Sequence, residues 1–431
     1  MIISLLTKSV FKLATFYTGA NFINQAIPFF LLPILTRFLS PSDYGIIATF
    51  MALIGIVNVI VSMGSTDAVS RGYFDKDKEG FDFSKFIFNA AFINFIVFLI
   101  FIIITFFLKS FISQKLFIPH NWLFLLPIIS FCYAIYIIPF KLFIFKQKPI
   151  PYAIMELSHT FIEIILSIFL VLFTLSWKGR VLGIAINKIL FFIIGIYILI
   201  KNYSLNLSLN SNYIRKILSY GIPVVFHSLG FTVVGALDRF FLNRMVGLSI
   251  TGIYSVGYSI ATIIGFFAGA FNLSWTPILF EKLSQITEDL KIKLVKFTYF
   301  YFVLILLAAF FLIIITPYFL KFFVGKNFYG ASQFIFWLAL GYAVHGMYTM
   351  VVSYIFYEKK TYLLSIIAVI TVIINIIFNY TLIKLNGAIG AAQATFLTFL
   401  SRFLLVWYFS NRVYPMPWFS FIREEKYDSE K

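Results

Sequence analysis

Twelve apolar stretches, each about twenty residues long, run almost end to end along this chain, and its ionisable groups gather in the short gaps between them. A stretch of that length crosses a hydrocarbon core as a helix. Lipid leaves few alternatives, because a backbone there must satisfy its own hydrogen bonds. The spans read as 9–36, 44–66, 86–108, 121–145, 151–176, 181–201, 214–242, 251–275, 294–320, 332–357, 361–383 and 388–410. The pattern predicts an all-α membrane protein. Composition agrees, with 61% hydrophobic and 12% charged residues and a mean hydropathy of +0.95. The first apolar segment is too long for a cleavable signal and lacks a small-residue cleavage site, so it reads as a span.

Topology accounts for the net charge of +17. With the N-terminus in the cytoplasm, 22 of the 34 Lys and Arg fall on the cytoplasmic side and 9, Arg180 among them, fall outside. Lys188, Arg239 and Arg402 lie within spans. This is the asymmetry of the positive-inside rule, with both termini cytoplasmic. The charge therefore gives no ground for a nucleic-acid partner. Cys132 is the only cysteine and can form no internal disulfide, and the four histidines are scattered with no ligand spacing. No metal site, cofactor or glycine-rich phosphate loop is expected.

A shift of 207 residues superposes Arg37 on Arg244, Ser42 on Ser249, Gly45 on Gly252, Ile46 on Ile253, Gly183 on Gly390 and Ala185 on Ala392. One offset that recovers matches at both ends of a half indicates two six-helix halves, 1–205 and 206–431. Six is even, so both halves insert in the same orientation, related by a pseudo-twofold axis along the membrane normal. Transporters built this way bind substrate between the halves.

Short motifs follow in order. Thr36-Arg37-Phe38-Leu39 and Tyr44-Gly45 close the first span, and Leu237-Asp238-Arg239 ends the seventh. Gly252-Ile253-Tyr254, Trp275-Thr276-Pro277 and Gly390-Ala391-Ala392 come after. With these motifs the chain resembles the Wzx-type polysaccharide (O-antigen) flippases of the multidrug/oligosaccharidyl-lipid/polysaccharide exporter superfamily. The resemblance implies twelve transmembrane helices in two six-helix lobes around a central cavity, the MATE-like arrangement. It also implies outward movement of undecaprenyl-diphosphate-linked oligosaccharide across the bacterial inner membrane. The partners it implies are the lipid-linked oligosaccharide, membrane lipid and the polysaccharide polymerase machinery.

Such cargo needs a polar, cationic path, so ionisable groups inside spans are the candidates. Glu156, His159 and Glu163 share one face of the fifth helix, and Glu163 lies near the midplane, ~18 Å from Pro151. A carboxylate there costs roughly 2.5–3.5 kcal/mol. These three are the candidates for proton or Na+ coupling, with a polar clamp between helices as the alternative. Lys188, Arg239 and Arg402 are the candidates for the diphosphate, since a guanidinium matches phosphate oxygens in a fork. Asn375 and Asn379, one turn apart, are candidates for sugar hydroxyls or for interhelical bonds. His227 and His345 read as packing residues, and Arg37 and Arg244 as cations at helix C-termini.

Two other functions are weighed. A cation-coupled multidrug exporter of the same superfamily commonly uses carboxylates in the first span or in the second half. Here the first span has none, and Asp238 is the one such residue in spans seven to twelve away from a cytoplasmic end. A membrane glycan polymerase usually carries a long outer loop, and every outer loop here is short.

Overall fold

The computed structural model describes residues 27–203 and 206–418 with Gly19 and Asn24, apart from the side chains of Pro28, His227 and Phe231. The described residues are helical, without a strand. The helices are α1 (Leu31–Phe38), α2 (Pro41–Ser62), α3 (Ser65–Gly72), α4 (Phe83–Leu116), α5 (Leu125–Phe145), α6 (Pro149–Thr174), α7 (Trp177–Tyr203) and α8 (Ser211–Met245). They continue as α9 (Leu248–Ser284), α10 (Glu288–Phe323), α11 (Ser332–Tyr357), α12 (Tyr362–Asn386) and α13 (Ile389–Val413). Ten of the described helices are long and apolar enough to cross a membrane, and α8 makes eleven if its two parts, bent by 41°, form one span. The first expected span, 9–36, lies mostly outside the described residues, as does the side chain of His227.

Local chemistry sets the helix ends. Ser40 caps α2 by accepting the Asp43 N–H at 3.1 Å, Asp43 accepts the Ser40 N–H at 3.3 Å, and Pro41 fits the first turn. The helix stops where Met63 and Gly64 take φ of 46° and 62°, a pair of left-handed residues that divides the second apolar stretch into α2 and α3. Pro149 opens α6 in the same way as Pro41 opens α2.

The described residues up to Ser255, with Val324–Phe328, pack as one compact unit, and Val256–Phe323 with the described residues from Tyr329 pack as another. In the first, α5 is the central helix, 67% of its apolar window buried, against 17% for α4 and for α6. In the second, α11 holds that place with the same 67%. The outer surfaces are apolar: Phe107 of α4 and Phe322 of α10 are 75% and 83% exposed, as suits side chains that meet acyl chains.

The packing boundary differs from the repeat boundary expected at 205/206, because α8 belongs with the first unit. Its backbone comes against α3 where a Cβ on Gly221 would strike the Met63 carbonyl, and Asn243 donates to Thr49 of α2. The repeat mates Gly45 and Gly252 also face each other, and a Cβ on Gly252 would strike the Pro41 carbonyl. Gly183 brings α7 onto α6, and Gly390 brings α13 onto α12, each against backbone of the preceding helix.

Candidate functional site

A polar cluster forms in the first unit where α5, α6 and α7 meet. Glu156, His159 and Glu163 stack on one face of α6 as their spacing requires. Gly183 lets α7 approach: a Cβ there would lie 2.7 Å from Ser167 Oγ and 2.8 Å from its Cα. This closeness sets Arg180 and Lys188 of α7 opposite the carboxylates. Arg180 Nη2 donates to Glu163 Oε1 at 3.0 Å, and Nη1 donates to Ser167 Oγ at 2.5 Å. Lys188 Nζ lies 3.3 Å from Glu163 Oε2. Glu163 is thus not an isolated carboxylate at the midplane. Two cations face it, and its side chain keeps 16% exposure.

Lys188 also reaches His159 Nε2 at 2.7 Å and the Tyr136 hydroxyl at 3.3 Å. An ammonium can only donate, so Nε2 must be the acceptor and the imidazole carries its proton on Nδ1. The Tyr136 ring stacks on His159, with centroids 5.1 Å apart and planes at 25°. Glu156 accepts from Asn24 Nδ2 at 2.6 Å, and Asn24 Oδ1 in turn accepts from Thr160. A cavity of about 250 Å³ opens beside these groups, bounded by Glu156, His159, Glu163 and Arg180 on its polar side and by Tyr136 and Phe140 on the other. Its volume is enough for several waters at ~30 Å³ each.

In the second unit Arg402 of α13 is buried, lies over the Tyr348 ring at 4.0 Å and donates to the Tyr348 hydroxyl at 2.7 Å. His345, one turn back on α11, stacks on the same tyrosine with centroids 5.6 Å apart. In each unit a cation therefore lies over a tyrosine of the central helix: Lys188 of α7 over Tyr136 at 5.4 Å, and Arg402 of α13 over Tyr348. Such a contact is worth ~2 kcal/mol when desolvated. Asn375 donates to Thr398 of α13 at 3.0 Å, and Asn379 to the Asn375 carbonyl at 3.1 Å. Both side chains are fully buried; Asn375 joins α12 to α13, whereas the Asn379 bond stays within α12.

The remaining candidates are separate. Arg239 of α8 folds back to donate to the Gly235 carbonyl, and its neighbour Asp238 accepts from Tyr254 at 2.7 Å. Arg239 and Lys188 belong to the first unit and Arg402 to the second. Sequence reasoning brought Glu163, His159 and Lys188 onto neighbouring helices but missed Arg180, which it placed in an outer loop. The sixth span was begun at residue 181, whereas α7 begins at Trp177, and those few residues hide the cation that pairs with Glu163. Tyr136 and Ser167 carried no signal beyond being polar atoms in apolar helices.

A family model described as "Polysaccharide biosynthesis protein" matches residues 10–283. Two proteins of Haemophilus influenzae align over most of the chain. One, named "Uncharacterized membrane protein", is 25% identical over 379 residues, covering 85% of this chain and 88% of its own. The other, "Lsg locus putative protein 1", is 23% identical over 374 residues, covering 85% and 90%. Among solved structures, an inward-facing multidrug resistance MATE family transporter of the MOP superfamily matches with a TM-score of 0.74 at 12% identity, over 93% of this chain and 94% of that one. Lipid II flippase MurJ in an inward closed conformation matches with a TM-score of 0.71 at 15% identity, over 91% and 86%. At these identities the likeness establishes the fold, an all-helical membrane fold of the MATE type. Those two solved structures are, by name, a transporter and a flippase. With 274 of its 431 residues inside that match, this multi-pass membrane protein belongs to the polysaccharide biosynthesis protein family.

Proposed function

We propose that the chain moves an undecaprenyl-diphosphate-linked oligosaccharide from the inner to the outer leaflet of the bacterial cytoplasmic membrane, for a surface polysaccharide such as O-antigen in lipopolysaccharide. The family match over residues 10–283 carries this reading, and the likeness of fold to a lipid II flippase supports it. Both termini are cytoplasmic, and the glycan is released toward the polymerase machinery on the far side. The cargo's tail stays in lipid, while its diphosphate cannot cross a ~30 Å hydrocarbon core without counter-charge. Arg239 and Arg402 supply that charge. Arg402 does so from a stacked position on Tyr348 that already orients the guanidinium plane.

Lys188, read from sequence as a third phosphate ligand, is bonded to Glu163 and His159 and is assigned instead to coupling. A proton arriving at His159 Nε2 competes with the Lys188 ammonium for one lone pair. Its arrival turns Lys188 toward Glu163 and Tyr136, so one protonation event rearranges the contacts joining α5, α6 and α7. The test is depletion of the protein followed by leaflet-resolved analysis of lipid-linked glycan. Accumulation on the inner leaflet is the expected result, and an unchanged distribution refutes the reading.

A second reading, a cation-coupled multidrug exporter, is favoured by the TM-score of 0.74 to the MATE family transporter. It predicts drug hypersensitivity on depletion with no change in lipid-linked glycan.

A further inference from the structure

A second cavity, of about 340 Å³, lies in the first unit where α3, the turn Tyr73–Asp75 and the first turns of α8 come together. Its polar wall is Arg71, Asp75, Lys216 and Ser219, and Ala68, Phe86 and Tyr220 complete it. The close approach of Gly64 to Gly221 fixes α3 against α8 and so fixes the wall.

The charges are unequal. Asp75 is bonded to Lys78 at 2.7 Å and to Lys216 at 3.2 Å, and these two lysines hold its carboxyl below the usual carboxylate range. The other carboxylate of α3, Asp67, is held by Lys141 at 2.5 Å. Arg71 is exposed, and no hydrogen bond or ion pair joins its guanidinium to any described residue. The cavity wall thus carries two cations, Arg71 and Lys216, against one carboxylate, and Arg71 is a planar fork that Asp75 does not occupy. Tyr220 of the wall is 44% exposed, and Phe74 and Ile222, next to Asp75 and two residues on from Tyr220 in the chain, are 63% and 40% exposed. The cavity also lies at the ends of two apolar helices, since α3 begins three residues after α2 ends and α4 begins at Phe83. A basic socket beside exposed apolar side chains at the end of membrane spans suits an amphiphile whose head is an anion.

We propose that this cavity binds the phosphate-ester headgroup of a membrane lipid, with Arg71 gripping two phosphate oxygens and Lys216 a third. The phosphate comes either from bulk anionic phospholipid or from a polyprenyl diphosphate. Binding at this site does not depend on the transport reading and is measured without transport.

The test is native mass spectrometry of the full chain released from nanodiscs of phosphatidylglycerol and phosphatidylcholine, with and without undecaprenyl diphosphate. The wild-type chain retains phosphatidylglycerol in preference to phosphatidylcholine. The R71Q/K216Q variant lowers that retention about tenfold, while K76Q/K148Q, which removes the same charge outside the cavity, changes it by less than about twofold. Ser219→Trp fills the cavity with both cations in place and lowers retention as the double variant does, which keeps the test sound if R71Q/K216Q fails to fold. Displacement of phosphatidylglycerol by undecaprenyl diphosphate names the diphosphate as the preferred source, and its failure to displace names bulk phospholipid. Either outcome supports a phosphate site. Undiminished anionic-lipid retention in folded R71Q/K216Q or in Ser219→Trp overturns it, as does an equal loss in K76Q/K148Q.

Discussion

Replacing Glu163 by Gln keeps the volume of the side chain and removes the one charge that faces both Arg180, at 3.0 Å, and Lys188, at 3.3 Å. The two cations are then left in an apolar bundle with only neutral acceptors: Ser167, His159 and Tyr136. Removing one partner of a buried ion pair costs ~3–5 kcal/mol, because the charge left behind stays desolvated. The side chains of Arg180 and Lys188 keep 10% and 13% exposure and the adjoining cavity admits water, so part of that penalty is relieved. A loss of about 2–3 kcal/mol is therefore expected for Glu163→Gln. The assay is equilibrium unfolding in mixed micelles, with Lys188→Met and the pair Glu163→Gln/Lys188→Met completing a double-mutant cycle. Removing both charges should be less damaging than the sum of the single changes, with a coupling of about 1–2 kcal/mol. A Glu163→Gln chain as stable as the wild type, together with a coupling near zero, would refute the claim that this carboxylate holds α6 to α7 through charge.

Three further outcomes are expected. Arg402→Ala should abolish translocation in reconstituted vesicles, and Arg402→Lys should restore part of it by keeping the charge while losing the fork and the stack on Tyr348; normal transport by Arg402→Ala would remove Arg402 from the path. Asp75 has a depressed carboxyl pKa, so its stabilising effect is present above the unfolded value of ~3.9 and is lost as pH falls through the folded value; melting curves of wild type and Asp75→Asn should differ near neutral pH and converge in strong acid, and a constant difference across that range would contradict this. Reporter fusions after Lys148 and Lys293 should read cytoplasmic and one after Lys115 periplasmic, and any reversal sinks the proposed orientation.

Eleven of the expected spans coincide with described helices because hydropathy reads directly on residues that must face lipid. The shared face of Glu156, His159 and Glu163 was legible for a similar reason, since helical spacing alone puts them together. What lay opposite that face was not. Arg180 pairs with Glu163 only because Gly179 and Gly183 let two helices touch, and a glycine in a sequence does not say which neighbour it admits. The break at Met63–Gly64 was hidden inside an apolar run, because a left-handed Met leaves no trace in composition. The grouping of α8 with the first unit rests on contacts such as Gly221 with Met63 and Asn243 with Thr49, which join residues far apart in the chain. The two asparagines of α12 were ambiguous between sugar and helix. The Thr398 hydroxyl, 23 positions on from Asn375, accounts for one of those amides in a way spacing could not predict.

The most direct measurement is translocation itself. The purified chain would be reconstituted into vesicles carrying a fluorescent polyprenyl-diphosphate-linked oligosaccharide in one leaflet, and its transfer followed by a quencher that cannot cross the bilayer. The account predicts transfer well above that of protein-free vesicles, lost in Arg402→Ala and sensitive to an imposed proton or sodium gradient. A chain that leaves this lipid in place while expelling a lipophilic cation under the same gradient would contradict it.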